Sequence, residues 1–203
     1  MTFQKIAIAG AGGIGSNLLN ILFDYGYNRK QFDYINTEID IYDDDVVDLS
    51  NLLHQKFQID DIGKAKVDVL ADKYSVNGIK KLLTKEDLKD YDLVFCCVDN
   101  MVFRKDLYNY GWELEDQKPN EKKFFWIDGR CTSRQCALFT SSALRPSLTP
   151  YISDSKESGG CLLAFEKEQN ISHTLPIIVA AMMVQAFLNK MRGENTGNKI
   201  FMV

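Results

Sequence analysis

The chain has 203 residues, 45% of them hydrophobic and 26% charged, which suits one domain spanning residues 1–203 with a sizeable core rather than two. A formal net charge of −4 speaks against a general binder of nucleic acid or anionic membranes. No run of about 18 consecutive apolar residues occurs, so no membrane-spanning helix and no membrane partner is expected.

Residues 4 to 9 read as a short buried strand, and no signal peptide is expected. Residues 14 to 25 follow as a helix, with Ile14, Leu18, Leu19, Leu22 and Phe23 at helical spacing. Polar residues 28 to 37 make a loop, and residues 38 to 43 a second strand in which Ile39 and Ile41 alternate with polar positions. Lys64 to Tyr74 carries Val67, Leu70 and Ala71 on one face and is expected to be helical. Ile79 to Leu83 reads as a third, weak strand. Leu93 to Val98 is continuously apolar, as a strand buried on both faces should be. Met101 to Leu114 returns to helical spacing, and Gln117 to Lys123, with Pro119, is the best linker. Phe124 to Ile127 is another buried strand and Gln135 to Thr140 a further one. Residues 145 to 160, with Pro146, Pro150 and Gly159-Gly160, are expected to form a loop long enough to be functional or mobile. Thr174 to Met191 is a strongly apolar helix ended by Gly193. Lys199 to Val203 suits a last edge strand.

Strands alternating with helices imply an α/β, Rossmann-like, mostly parallel sheet with helices on both faces and a mixed C-terminal edge. Ligands of such sheets bind outside the carboxyl ends of the strands. Gly10, Asp43, Asp99 and Asp128 each end or follow an apolar strand. The five cysteines, Cys96, Cys97, Cys131, Cys136 and Cys161, include no Cys-x-x-Cys pair. They give no zinc signal and read as reduced thiols of a cytoplasmic protein, so a Cys131–Cys136 disulfide is not expected. Cys96 and Cys97 read as core.

The first motif is Gly10-Ala11-Gly12-Gly13-Ile14-Gly15-Ser16 between strand and helix. Glycines let the backbone approach a phosphate, whose charge suits a helix N-terminus. By itself the motif fits a nicotinamide or flavin site as well as ATP. Asp43 ends the second strand and suits a ribose hydroxyl in either case. The second motif, Asp43-Asp44-Asp45-Val46-Val47-Asp48-Leu49-Ser50-Asn51-Leu52-Leu53-His54-Gln55, is less suited to a nicotinamide site. Gly63-x-x-Lys66 and Cys97-Val98-Asp99-Asn100 with Arg104 follow it. Magnesium takes one or two carboxylates plus phosphate oxygens, and Asp99 is the best single candidate. Asp99-Asn100 also suits a helix N-cap, and Lys66 also reads as an exposed helix charge, with Lys64 as a substitute.

In this order and near this spacing, the motifs resemble the ThiF/MoeB/ubiquitin-activating superfamily over most of the first half of the chain. That resemblance implies an ATP- and magnesium-dependent adenylyltransferase acting on the C-terminal carboxylate of a small ubiquitin-like or sulfur-carrier protein with a flexible tail. It further implies a homodimer. By the same resemblance Gly10, Gly12, Gly13 and Gly15 line the nucleotide, Asp43 and Asp45 belong to the nucleotide site, Asn51 and Gln55 flank the phosphates, Lys66 neutralises them and Asp99 holds magnesium. Cys161 matches in position the cysteine to which many relatives pass the acyl group, and equally a small packing residue; His173 reads as a cap neighbour. The sequence departs from the pattern at three places: His54 stands where the family has arginine, the N-terminal helical arm is missing, and so is the paired-cysteine zinc site. Arg104, Arg130 and Arg134 are the candidates to compensate for the arginine that such an arm gives to the partner subunit's site. Two other readings stand beside the enzyme: a catalytically idle scaffold or heterodimer subunit, and a nicotinamide oxidoreductase.

Overall fold

A computed structural model describes residues 3–27, 37–117, 124–132, 134–148 and 174–202. In chain order these form β1 (Lys5–Ala9), α1 (Gly13–Ile21) continuing into a π-helical turn (Leu22–Tyr27), β2 (Glu38–Tyr42), 3-10 turns at Leu49–Leu53 and Ile59–Asp61, α2 (Lys66–Tyr74) and β3 (Asn77–Ile79). After a 3-10 turn at Lys85–Asp90 come β4 (Leu93–Cys96), α3 (Met101–Gln117), β5 (Phe125–Cys131), β6 (Gln135–Thr140), the short α4 (Arg145–Leu148), α5 (Leu175–Met191) and β7 (Lys199–Met202).

The strands make one sheet in the order β3-β2-β1-β4-β5-β6-β7. β1 to β5 pair in parallel, whereas β5–β6 and β6–β7 are antiparallel. This is the expected mostly parallel Rossmann-like sheet with a mixed edge. The chain leaves β1 toward β2 on one side and returns to β4 on the other, so the switch point where such sheets bind ligands lies between β1 and β4.

Two apolar layers cover the sheet. One joins Ile6, Ile8 and Phe95 to Leu18 of α1, Leu70 of α2 and Met183 of α5. The other joins Val94 and Trp126 to Leu107 and Tyr108 of α3 and Leu88 of the neighbouring 3-10 turn. All four residues of β4 are buried, as a strand covered on both faces requires. Gly129 admits α5 onto β5, since a Cβ there would lie 2.3 Å from Met183 Sδ.

Several boundaries differ from the sequence expectation. β3 is Asn77–Ile79 rather than 79–83. α2 ends at Tyr74 with Ser75 in the left-handed region (φ 55), so the chain turns into the sheet early. Residues 84–90 then start from a capping box in which Asp87 accepts from Thr84 N–H. α3 continues to Gln117 instead of stopping at Leu114. Residues 145–148 are helical rather than loop; Pro146 is tolerated in a first turn, and Arg145 clamps Asp116 and the Trp112 carbonyl. Asp128 sits within β5, not at its end. The expected loop at 28–36, the linker at 118–123, the rest of the 145–160 loop, Cys161 and His173 lie outside the described residues. No described helix is long and apolar enough to cross a membrane.

Candidate active site

The carboxyl ends of β1, β2 and β4 open into a cavity of about 1120 Å³. Gly10, Gly12, Gly13, Asp43, Asp45, Asn51, Gln55, Lys66 and Asp99 all line it, as do His54, Arg104 and Arg130. Gly15 is not among the lining residues; it lies beneath the loop. A Cβ at Gly15 would sit 1.9 Å from the Gly10 carbonyl oxygen, so its smallness lets the first turn of α1 close on β1. Gly10 is left-handed (φ +94) and its N–H donates to the Tyr42 carbonyl at 2.8 Å. Gly12 caps α1 without a side-chain hydrogen bond, and the space beside it is open. The result is a helix N-terminus with exposed dipole and approachable backbone, suited to phosphate. Gly15→Ala is expected to prevent recovery of soluble folded protein, because the clash is with backbone; a Gly15→Ala chain with wild-type Tm would contradict this.

Asp43 ties the loop to β2. It is 9% exposed; one carboxylate oxygen accepts from Ala11 N–H at 2.7 Å and the other from Asp45 N–H at 2.9 Å. Its place therefore depends on the glycine loop, and the loop's on it. Lys66 opens α2 yet is only 5% exposed, which sets aside the exposed-charge alternative. Its Nζ meets Asp45 Oδ2 at 2.7 Å, and Asp45 itself is 65% exposed. Val46 bridges Ala65 and Val47 N–H donates to Lys64 O, so two sequence-distant segments are zipped together beneath this pair. Lys64 pairs with Asp61 on the surface and does not line the cavity.

Asp48 caps the 3-10 turn that carries Asn51. Its carboxylate accepts from Asn51 N–H at 3.1 Å, and Asn51 Oδ1 accepts in return from Asp48 N–H at 3.0 Å. The Ser50 hydroxyl, set against burial and assisted by backbone N–H groups, holds the Asp48 carboxyl below its ordinary pKa. Asn51 thus presents its donor end, Nδ2, to any ligand. Gln55 Oε1 is buried without a hydrogen-bond partner, a polar atom left for a ligand to complete. His54 packs against the loop; a Cβ on Gly13 would lie 2.9 Å from its Cδ2. Asp99 is exposed, and Asn100 caps α3 by accepting from Val102 and Phe103 N–H at 2.9 and 3.2 Å. The cap role and a ligand role therefore fall on neighbouring residues.

Sequence reasoning named Asp128, Arg104 and Arg130 singly but missed the network that joins them beside the cavity. Asp128, fully buried, accepts from Arg104 Nε at 3.1 Å, Arg130 Nε at 2.9 Å and the Tyr108 hydroxyl at 2.5 Å. Arg104 also donates to the Val98 and Gly129 carbonyls. This buried guanidinium is locked into the sheet, whereas Arg130 keeps 17% of its side chain exposed and Arg134 does not line the cavity. Arg104 and Arg130 both line the cavity, and Arg130 is the more exposed of the two. Cys96 is core, its thiol pushed up to about 12 by burial and by Asp128, while Cys97 is half-buried at the cavity wall. A second missed network, Tyr42 to Tyr91 to Asp40 at 2.5 and 2.6 Å, buttresses β2 below the cavity.

The residues fit a magnesium–nucleotide. Asp43, Asp44 and Asp45 bring carboxylate oxygens within 4.8 Å of one another, Asp99 adds an acid and Lys66 a cation. Fold and cavity together define an α/β protein with a cavity at the switch point of a Rossmann-like sheet, where ligands of such sheets bind. The chain belongs to the ThiF family, whose family model matches residues 1–202. It superposes on PaaA with a TM-score of 0.67 at 16% identity, over 98% of this chain and 61% of PaaA. Escherichia coli MccB, solved with AMPCPP and MccA, gives a TM-score of 0.63 at 18% identity over 98% and 61%. The E. coli tRNA N6-threonylcarbamoyladenosine dehydratase TcdA gives 0.62 at 17% identity over 94% and 86%. At these identities the likeness is one of fold, and the chain spans about three-fifths of the length of PaaA and MccB. No curated protein matches it.

Proposed function

We propose that this chain is an adenylyltransferase that activates the C-terminal carboxylate of a small ubiquitin-like or sulfur-carrier protein with ATP. The observation that carries the reading is Lys66, a nearly buried cation lining the same cavity as a glycine loop at a helix N-terminus. A carboxylate oxygen attacks the α-phosphorus, the bond to the β-phosphate oxygen breaks, and pyrophosphate leaves. Negative charge gathers on the phosphoryl oxygens, where preorganised cations and N–H donors act most strongly. Gly10, Gly12 and Gly13 cradle the phosphates, supported by Gly15. Asp43 takes the ribose. Asn51 donates through Nδ2, Gln55 flanks the phosphates, and Lys66 neutralises them, positioned by Asp45. Asp99 would hold magnesium, which supplies Lewis-acid stabilisation of phosphate charge when bound.

A cavity of about 1120 Å³ is large enough for a nucleotide. The solved combination of MccB with AMPCPP and MccA supports a nucleotide and a partner on this fold. We assign the activity to one domain over residues 1–203, acting as a cytoplasmic homodimer without nucleic acid. The role of Cys161 as acyl acceptor belongs to the same proposal.

Magnesium-ATP at a hundredfold over Kd is expected to raise stability by about 2.7 kcal/mol, read as a higher Tm. ATP–pyrophosphate exchange should then appear with the cognate carrier. No Tm shift and no exchange would sink the reading. The idle-scaffold alternative draws on His54 in place of arginine. It predicts neither a Tm shift with magnesium-ATP nor exchange, and an Asp99→Ala chain identical to wild type in every assay.

A further inference from the structure

β5 and β6 form an antiparallel hairpin in which Cys131 stands directly opposite Cys136. The hydrogen bonds fix what kind of pair this is. Ser141 N–H donates to Trp126 O at one end of the ladder and Thr132 N–H to Gln135 O at the other. Antiparallel pairs alternate between hydrogen-bonded and non-hydrogen-bonded. Counting from either end makes Cys131–Cys136 a non-hydrogen-bonded pair, the closer kind, with Cα atoms about 4.5 Å apart. That separation lies within the range of about 4.4–6.8 Å that disulfides span. Directly opposed residues share a face of the sheet, and both thiols pack against the same apolar layer. Both also line the cavity, and neither is in a disulfide.

We infer that Cys131 and Cys136 form a modification site, a dithiol that small disulfides of the glutathione class convert reversibly to a cross-strand disulfide. The two thiols differ in access. Cys131 is half-buried at the cavity wall, whereas Cys136 is 1% exposed and burial pushes its thiol up. Cys131 therefore attacks first. Its thiolate displaces one glutathione thiolate from glutathione disulfide and forms a mixed disulfide. The Cys136 thiolate then attacks the Cys131 sulfur and expels the second glutathione. The protein loses two hydrogens, glutathione disulfide is reduced to two thiols, and excess thiol reverses the exchange. The bond closes the β5–β6 side of the cavity wall, away from the glycine loop after β1.

The test is incubation of the full chain with glutathione disulfide, followed by alkylation and peptide mass mapping. The expected product is a Cys131–Cys136 linkage that disappears on adding dithiothreitol. In Cys136→Ala, Cys131 should stop at the mixed disulfide with glutathione. In Cys131→Ser, modification of Cys136 should slow at least tenfold, because the remaining thiol is buried. The linkage should persist in Cys161→Ser. Failure of wild type to form it, linkage of either residue to Cys161 or Cys97, or equal rates at Cys136 with and without Cys131 overturns the inference. Since the readout is mass, the result does not depend on whether the chain adenylates anything.

Discussion

Asp128→Ala is expected to lower the unfolding free energy by about 3–5 kcal/mol, the usual result of removing one partner from a buried ion pair. The carboxylate has no exposure and receives Arg104, Arg130 and Tyr108 at once. Its loss leaves the Arg104 guanidinium, 3% exposed, without its carboxylate, among carbonyls, a thioether and the Cys96 thiol inside the protein. The damage spreads because these groups join α3 to β4 and β5. Burial raises the Asp128 pKa, but Arg104, Arg130 and the Tyr108 hydroxyl outweigh it and hold the carboxyl below its ordinary value. A depressed carboxyl pKa stabilises the fold above the unfolded value, and that contribution is lost as pH falls through the folded one. Urea unfolding should therefore show a large deficit for Asp128→Ala at pH 7 that shrinks toward acid, with unchanged m-value. A deficit under about 1 kcal/mol at pH 7, far short of a buried pair, would mean that the arginines find other partners.

The features read correctly from sequence are those whose cause is local. Leu93 to Cys96 is apolar without alternation because both faces of β4 are covered. Gly10 and Gly15 announce a tight strand-to-helix turn because another residue there meets backbone. The helix over 175–191 is apolar around most of its surface, although Ile177 and Ile178 turned out 42% exposed. What stayed hidden depends on register between distant segments. Arg104 and Asp128 are 24 positions apart and meet only because α3 packs on β5. Lys66 read as a phosphate-site cation or, equally, as a surface charge, because its burial comes from the zipping of residues 46–47 onto 63–65. The Asp48–Asn51 box lacks the usual Glu or Gln at its third position, so its signature was absent. The third strand was misplaced because Leu82 and Leu83 imitate a strand while serving as cavity wall.

The same contrast makes Lys66 the sharpest test of the chemistry. Lys66→Met keeps most of the aliphatic stem, which fills the buried site, and removes the cation. Its partner Asp45 is 65% exposed, so water can solvate the orphaned carboxylate and little stability is lost. Transition-state stabilisation should suffer far more. A preorganised charge at a water-poor site is worth about 10²–10³ in rate when removed. Pyrophosphate exchange by Lys66→Met should fall by about that factor, with Tm close to wild type. Asp45→Asn separates positioning from charge. If Asp45 only holds Lys66 in place, exchange falls less than in Lys66→Met, and adding Asp45→Asn to Lys66→Met costs nothing further, because the residue it positions is gone. A Lys66→Met chain that keeps full exchange with its Tm intact would remove this lysine from the reaction and, with it, the observation on which the adenylyltransferase reading stands.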